Sequence, residues 1–254
     1  MDEKSGNTIQ SIETAFDIVE LLRKKGGAGV TEISDELGIP VSTTHNHLST
    51  LQQKGYLLQK EGDYHVGLKF VYFGDHVKNQ LDVYTVGEQY VNQLADETGE
   101  VANLLVENGG FGVYLKVVRG EDALDLDSYS RRREYLHCTA AGKAILAHES
   151  REKVDRIIKE HGLPEFTENT ITDSEEFYTE LEEIRNMGYA FDDEERLDGL
   201  RCVGSPLLNE NDGVFGAISV SGPTIRMSGE RFRSMIPDQV YNTAKVIEIE
   251  INHS

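Results

Sequence analysis

Gly38-Ile39-Pro40 interrupts a stretch that otherwise reads as continuous helix. Proline removes a backbone donor and clashes with the preceding turn, so no helix runs through it. Before the break, VTEISDEL suits a short helix with Thr31 as its N-cap and Ile33 and Leu37 as its buried pair. After it, Ser42 can cap a helix that runs to about Lys54 and stops at Gly55. On that helix Thr44, Leu48 and Leu51 fall at i, i+4 and i+7 and are expected to face inward. Upstream, SIETAFDIVELLRKKG places Ile12, Ala15, Phe16, Val19 and Leu22 at helical spacing, with Arg23, Lys24 and Lys25 in the last turn and Gly26-Gly27 as the stop. Downstream, YLLQKEGDYHVG reads as two short strands around a Glu61-Gly62-Asp63 turn.

Helix, short helix, turn, helix, hairpin is the order of a winged helix-turn-helix, here over residues 8–69 with the two-helix motif at about 31–54. The outward side of the helix after the break carries Thr43, Asn46, His47 and Thr50, with Ser42 and His45 beside them. Small, uncharged hydrogen-bonding groups suit base edges and phosphates in a major groove, whereas long acidic side chains would be repelled. An ordinary solvated face would also tolerate such residues. The turn spacing and the hairpin that follows favour recognition of double-stranded operator DNA.

Within the remaining residues, 70–254, HVKNQLDVYTVGEQYVNQLADETG reads as a linker helix at about 76–98 with a stripe of Val83, Val86, Tyr90 and Leu94. From Val101 the period changes, and two strands flank Asn108-Gly109-Gly110. Thr139 is a candidate N-cap for a helix in TAAGKAILAH, further helices fall near 150–160 and 173–187, and a strand from Val214 precedes a helix over about 229–251. Strands flanked by helices without regular alternation predict an α+β sensor domain.

The chain has 254 residues and a formal net charge of −20, unevenly spread. Residues 1–75 hold 7 Lys/Arg against 11 Asp/Glu, and residues 76–254 hold 18 against 34. The densest acidic run is 173–198. Such a surface disfavours non-specific contact with nucleic acid and acidic membranes. It suits either a solubilising shell or adaptation of a prokaryote to a salty cytoplasm. Two cysteines, Cys138 and Cys202, do not make a disulfide framework and suit a reducing, cytoplasmic setting. The N-terminus lacks a basic-then-apolar leader, and no window of 18 apolar residues exists, so no membrane association is expected.

Five segments carry a resemblance: SIETAFDIVELL, TEISDELGIPVSTTHNHLSTLQQKGYL, HCTAAGKAILA, GYAFDDEERLDGLRCVGSPL and GAISVSGP. In order and spacing they resemble the IclR-type bacterial and archaeal transcriptional regulators over nearly the whole chain. The resemblance implies a winged helix-turn-helix, a linker helix and a GAF/PAS-like effector domain. It also implies a homodimer or tetramer on pseudo-palindromic operators near catabolic genes. The family usually carries Arg at the position of Asn46, so the operator is expected to differ: Asn favours adenine, Arg guanine and phosphate. The resemblance further implies an effector pocket lined by Ala140, Ala141, Asp192, Leu200, Cys202, Ser219 and Ser221.

The residues fit a small anion. Ala140 and Ala141 open a helix whose N–H groups can face a carboxylate, and Ser219 and Ser221, two apart on a strand, share a face. Asp192 suits a ligand hydroxyl and opposes a second carboxylate, and Leu200 offers an apolar wall. The expected effector is therefore a hydroxy, keto or sugar acid, with no cofactor. Each residue also has a plainer reading: close helix packing for the alanines, a solvated acidic run for Asp192, a small core residue for Cys202. Enzyme readings are weaker. His137 and Cys138, adjacent on a strand, would point to opposite faces. Gly142-Lys143 lacks the earlier glycine of a phosphate loop, His137 standing in its place. No Cys-x-x-Cys pair offers structural zinc. A stand-alone sensor that acts through protein contacts, without specific DNA binding, is the alternative.

Overall fold

The structure, a computed structural model, describes residues 8–123, 133–211 and 213–253. It divides into two compact units, Met1–Val77 and Lys78–Ser254.

The first unit holds α1 (Gln10–Lys25), α2 (Val30–Leu37), α3 (Val41–Gln53), the hairpin β1 (Leu57–Lys60) and β2 (Asp63–Val66), and α4 (Lys69–Lys78). Its core is Ile18, Leu22, Ala28, Ile33, Leu48, Leu57 and Tyr64. Gly38 stops α2 at φ +63°, its N–H bonded to the Ser34 carbonyl. The Ser34 hydroxyl then donates to the Ile39 carbonyl at 2.6 Å, so the turn between the helices is closed by its own residues. Ala28 pairs with Tyr64 in an antiparallel bridge, which fastens the hairpin to the α1–α2 connection.

Three local expectations are corrected. Gly29 rather than Thr31 precedes α2, and Pro40 rather than Ser42 precedes α3. The rigid φ of proline starts α3, and the Pro40 carbonyl accepts from both the amide and the hydroxyl of Thr44. The buried line of α1 passes through Ile18 and Leu22, which leaves Ile12 and Phe16 exposed. The expected linker helix at 76–98 is instead two helices, α4 and α5 (Asp82–Thr98). The Tyr56 ring packs on Phe70 and Phe73 of α4, with Lys69 over its face, so α4 goes with the first unit. α5 is a core helix of the second unit and buries Val83, Val91, Leu94 and Ala95.

The second unit is built on a six-stranded antiparallel sheet in the order β5-β4-β3-β8-β7-β6. Its strands are β3 (Val101–Asn108), β4 (Phe111–Arg119), β5 (Glu134–Tyr135), β6 (Ala190–Asp193), β7 (Leu200–Leu208) and β8 (Val214–Pro223). Side chains alternate between the two faces. Ala102, Leu104, Val203, Leu207, Ile218 and Val220 form one face and pack with α5 and α9 (Ile236–Asn252), which follows a π-helical turn at Arg231–Met235. The other face is covered at one end by α6 (Ala140–Leu146), α7 (Arg151–His161) and α8 (Ser174–Met187), through Leu105, Ala141, Ala144, Ile145, Phe177, Ile184 and Ala217.

Gly204 sets how closely α6 approaches the sheet. A β-carbon built there would lie 2.6 Å from the Ala141 amide nitrogen and 2.7 Å from the Ala140 carbonyl carbon. Both are backbone atoms that cannot swing aside. Gly204→Ala is therefore expected to destabilise the second unit by about 1–3 kcal/mol. Urea titration of the wild type and variant checks this, and an unchanged midpoint would rule out the tight approach.

Candidate functional site

The α6-facing side of the sheet is not apolar throughout. Strand register places Asp192, Cys202, Ser221, Val101 and Arg119 in one row across β6, β7, β8, β3 and β4. The neighbouring row runs Ala190, Gly204, Ser219, Asn103, Val117. A register shift at Leu104/Leu105 then brings Tyr114 opposite Leu105, on the same side of the sheet. These rows floor a cavity that also takes in Glu134, Thr139, Ala140, Ala141, Arg196 and Leu200. Its empty space, mouth included, is about 680 Å³.

All seven residues expected from the sequence border this one cavity. Ser219 and Ser221 are on one face, bridged by Asn103, whose amide donates to both hydroxyls at 3.2 and 3.3 Å. Asp192 does not belong to a solvated run. It is 1 % exposed, and its Oδ1 accepts the amides of Glu195 (2.8 Å) and Arg196 (3.2 Å). Burial nevertheless pushes its pKa up to about 6, against the opposing pull of Lys143 and those amides. Cys202 sits beside it, and burial together with the Asp192 charge raises its thiol well above the ordinary range. Thr139 caps α6 by accepting the Gly142 amide.

Sequence reasoning missed Asn103, Tyr114, Arg119, Glu134 and Arg196. Asn103 left a trace, a single amide within the apolar strand VANLLV. Tyr114 depends on the register shift, and Arg119, Glu134 and Arg196 stand in segments where charges are common. The two arginines change the electrostatic argument. Besides the hydroxyls and the helix end, two arginines border the cavity, together with the acids Glu134 and Asp192. Arg196 is oriented by the Glu134 carboxylate at 2.8 Å and lies over the Phe166 ring.

The strand placement expected for His137 and Cys138 is corrected too. His137 and Cys138 follow β5 in a turn rather than lying on a strand. Burial pushes the Cys138 thiol up and the His137 imidazole down, and the His137 ring is tied to the Pro164 carbonyl. The thiol is thus held in its unreactive form.

On α3, Ser42, His45, Asn46 and Thr50 are exposed, and Thr43 and His47 are half-buried. Thr43, Asn46, His47 and Thr50 all border a shallow groove with Ser11, Ile12 and Ala15 of α1. The Thr50 hydroxyl donates to the Asn46 carbonyl at 2.8 Å, which leaves the Asn46 amide as the outward group of that turn.

Residues 11–61 match the family described as the IclR helix-turn-helix domain, and residues 75–249 match the bacterial transcriptional regulator IclR C-terminal family. The chain belongs to the IclR family of transcriptional regulators. It is 30% identical over 260 residues to a Halobacterium salinarum protein named "Probable HTH-type transcriptional regulator ArcR", with 99% of each chain covered. The crystal structure of Thermotoga maritima IclR superposes with a TM-score of 0.81 at 29% identity, over 96% of this chain and 100% of that one. An IclR homologue from Microbacterium hydrocarbonoxydans, crystallised with 4-hydroxybenzoate, shares the fold at TM-score 0.84 and 17% identity, over 96% and 100% of the two chains. As in other IclR regulators, a DNA-binding helix-turn-helix precedes an effector-binding domain. No helix among the described residues is long and apolar enough to cross a membrane.

The buried Asp192 carboxyl gives this IclR protein a pH signature. Burial raises it to about 6, so it holds a proton more readily folded than unfolded. Its stabilising contribution is complete below the ordinary carboxylate range, about pH 4. It is lost as pH rises through about 6. Asp192→Asn keeps an acceptor for the two amides and removes the charge. It is expected to gain on the order of 2 kcal/mol over wild type between about pH 5 and pH 8. Denaturation at both pH values measures this, and parallel pH curves would refute it.

Proposed function

We propose that this regulator binds operator DNA through α3 and the β1–β2 wing as a homodimer or tetramer in the cytoplasm, and that a small hydroxy, keto or sugar acid in the cavity alters that binding. The genes controlled would be catabolic ones for such compounds, and no catalysis is assigned to the chain. The observation that carries this reading is the meeting of Ser219, Ser221, Asn103, Asp192 and two arginines around one cavity. Hydroxyls, an amide and guanidinium groups fit a carboxylate, and Asp192 fits a ligand hydroxyl. The 4-hydroxybenzoate held by the Microbacterium homologue is of that class. Ile9, Ile12 and Phe16 of α1 and Leu68, Val71 and Tyr72 at α4 are exposed apolar groups, which supports self-association.

Two measurements test the reading. On DNA from the chain's own upstream region, Asn46→Ala is expected to cost about 1–3 kcal/mol, with little effect on scrambled DNA. Equal wild-type affinity for both DNAs across a salt series would instead favour a sensor that acts through protein contacts. For the cavity, calorimetric screening of sugar acids, keto acids and hydroxybenzoates is expected to yield a ligand whose affinity falls at least tenfold in Ser219→Ala/Ser221→Ala. A ligand indifferent to the double substitution would remove the cavity from the proposal.

A further inference from the structure

Gly142-Lys143 failed as a phosphate loop, and Lys143 does something else. Its side chain is fully buried on α6, with its ammonium 2.6 Å from Glu195 and 2.8 Å from Glu180 of α8. Burial alone would lower its pKa, but the two carboxylates more than offset this and keep it charged. Glu195 lies in the short turn that joins β6 to the segment before β7. Arg196 follows it in that turn, and Asp192, on β6, accepts the amides of both; Asp192 and Arg196 border the cavity, whereas Glu195 itself reaches Lys143.

That turn is strained and heavily tethered. Glu194 has φ +64°, a left-handed conformation that a residue with a β-carbon keeps only when its surroundings impose it. Thr167 donates to the Glu194 carbonyl at 2.6 Å, and Thr170 donates to the Glu195 carbonyl at 2.6 Å. Asn169 donates to the Asp193 carbonyl at 3.1 Å. Asp192 caps the turn from inside, as described above. The Lys143–Glu195 pair is a further anchor, and it pins the turn to the same helix whose first residues, Ala140 and Ala141, border the cavity. Breaking a buried ion pair leaves an uncompensated charge that must find water or a proton, and the nearest route is for the strained turn to move.

We propose that Lys143 is a positioning residue for the effector cavity: through Glu195 it fixes the turn whose amides hold the Asp192 carboxylate and which presents Arg196, and so sets the cavity's preference for hydroxylated over unhydroxylated acids. This rests on the reading of the cavity as the effector site. Asp192 discriminates a ligand hydroxyl only while its carboxylate is held at a fixed place. A polar site built to bond a hydroxyl rejects the analogue without it far more strongly than an apolar site does.

The test measures affinity ratios by calorimetry for two ligand pairs, lactate against propionate and 4-hydroxybenzoate against benzoate. Wild type is expected to favour the hydroxylated member. Lys143→Met is expected to shrink that preference at least tenfold, with the hydroxylated acid losing most of the affinity. Lys143→Met/Glu195→Gln removes both charges and keeps the cavity floor folded where the single variant does not; it is expected to show the same lost preference. A folded double variant with the wild-type ratio would overturn the proposal, as would an equal loss for both members of each pair, which marks a purely structural lysine. A wild type that binds none of the four acids, or binds each pair equally, would instead remove the effector assignment, and this inference with it.

Discussion

Side-chain alternation along β-strands is the constraint on which the second unit rests. Once the register of β6, β7, β8, β3 and β4 is set, every second residue is committed to α5 and α9 or to the α6 side. The α5/α9 face is apolar and supplies cohesion, since each fully buried aliphatic side chain contributes on the order of 1.5–3 kcal/mol. The other face has two tasks. Near Leu105 and Ala217 it packs against α6 and α8. Toward Ser221 and Asn103 it carries polar groups that must bond to something. Asn103 meets part of that need by linking the two serines across strands. A one-residue slip would bury Asn103 among Leu94 and Val240 and send Leu104 into the cavity, so the packing of one face enforces the polarity of the other.

Gly204 turns this division into a site. It lets the start of α6 lie directly on the sheet between the packed end and the polar end. Ala140 and Ala141 are small for the same reason: larger side chains at the helix start would fill the space that the cavity occupies. The plain reading of those alanines as packing residues and the reading as cavity residues thus describe one arrangement.

The sequence was legible where a local signal was strong. The Gly38–Pro40 break, the hairpin turns and the Gly99 stop each fix backbone direction within a few residues, and the elements expected there are present. The position of Asp192 in an acidic run hid its burial, because burial depends on pairing with Cys202 on β7, a strand with no alternating pattern to announce it. Both faces of β7 are covered, so its residues run almost continuously buried. The seven cavity residues came from family resemblance and not from periodicity. Arg119 and Arg196 were invisible to both routes, since only the fold shows which of 25 cations border a cavity. On α1 the helical spacing was right but its orientation was not, as Ile12 and Phe16 satisfy the period without reaching the core.

The charge distribution bears on how an acidic protein of this kind can read DNA. The sequence of α3, Val41–Gln53, contains no Lys, Arg, Asp or Glu. Of the cations near it in sequence, Lys54 follows its last turn and Lys60 lies on the wing, while Lys25 is already shared by Glu32 and Glu36 of α2. α3 itself therefore offers no cation to a phosphate, and the salt dependence of binding scales with the number of phosphates neutralised. Hydrogen bonds to base edges are screened by salt far less than phosphate contacts are. A second copy on a neighbouring half-site would then supply what one weakly charged unit lacks, because linking two modest contacts multiplies their effect without any new one. Low charge on the recognition helix and exposed apolar groups on α1 and α4 are, on this argument, two sides of the same requirement.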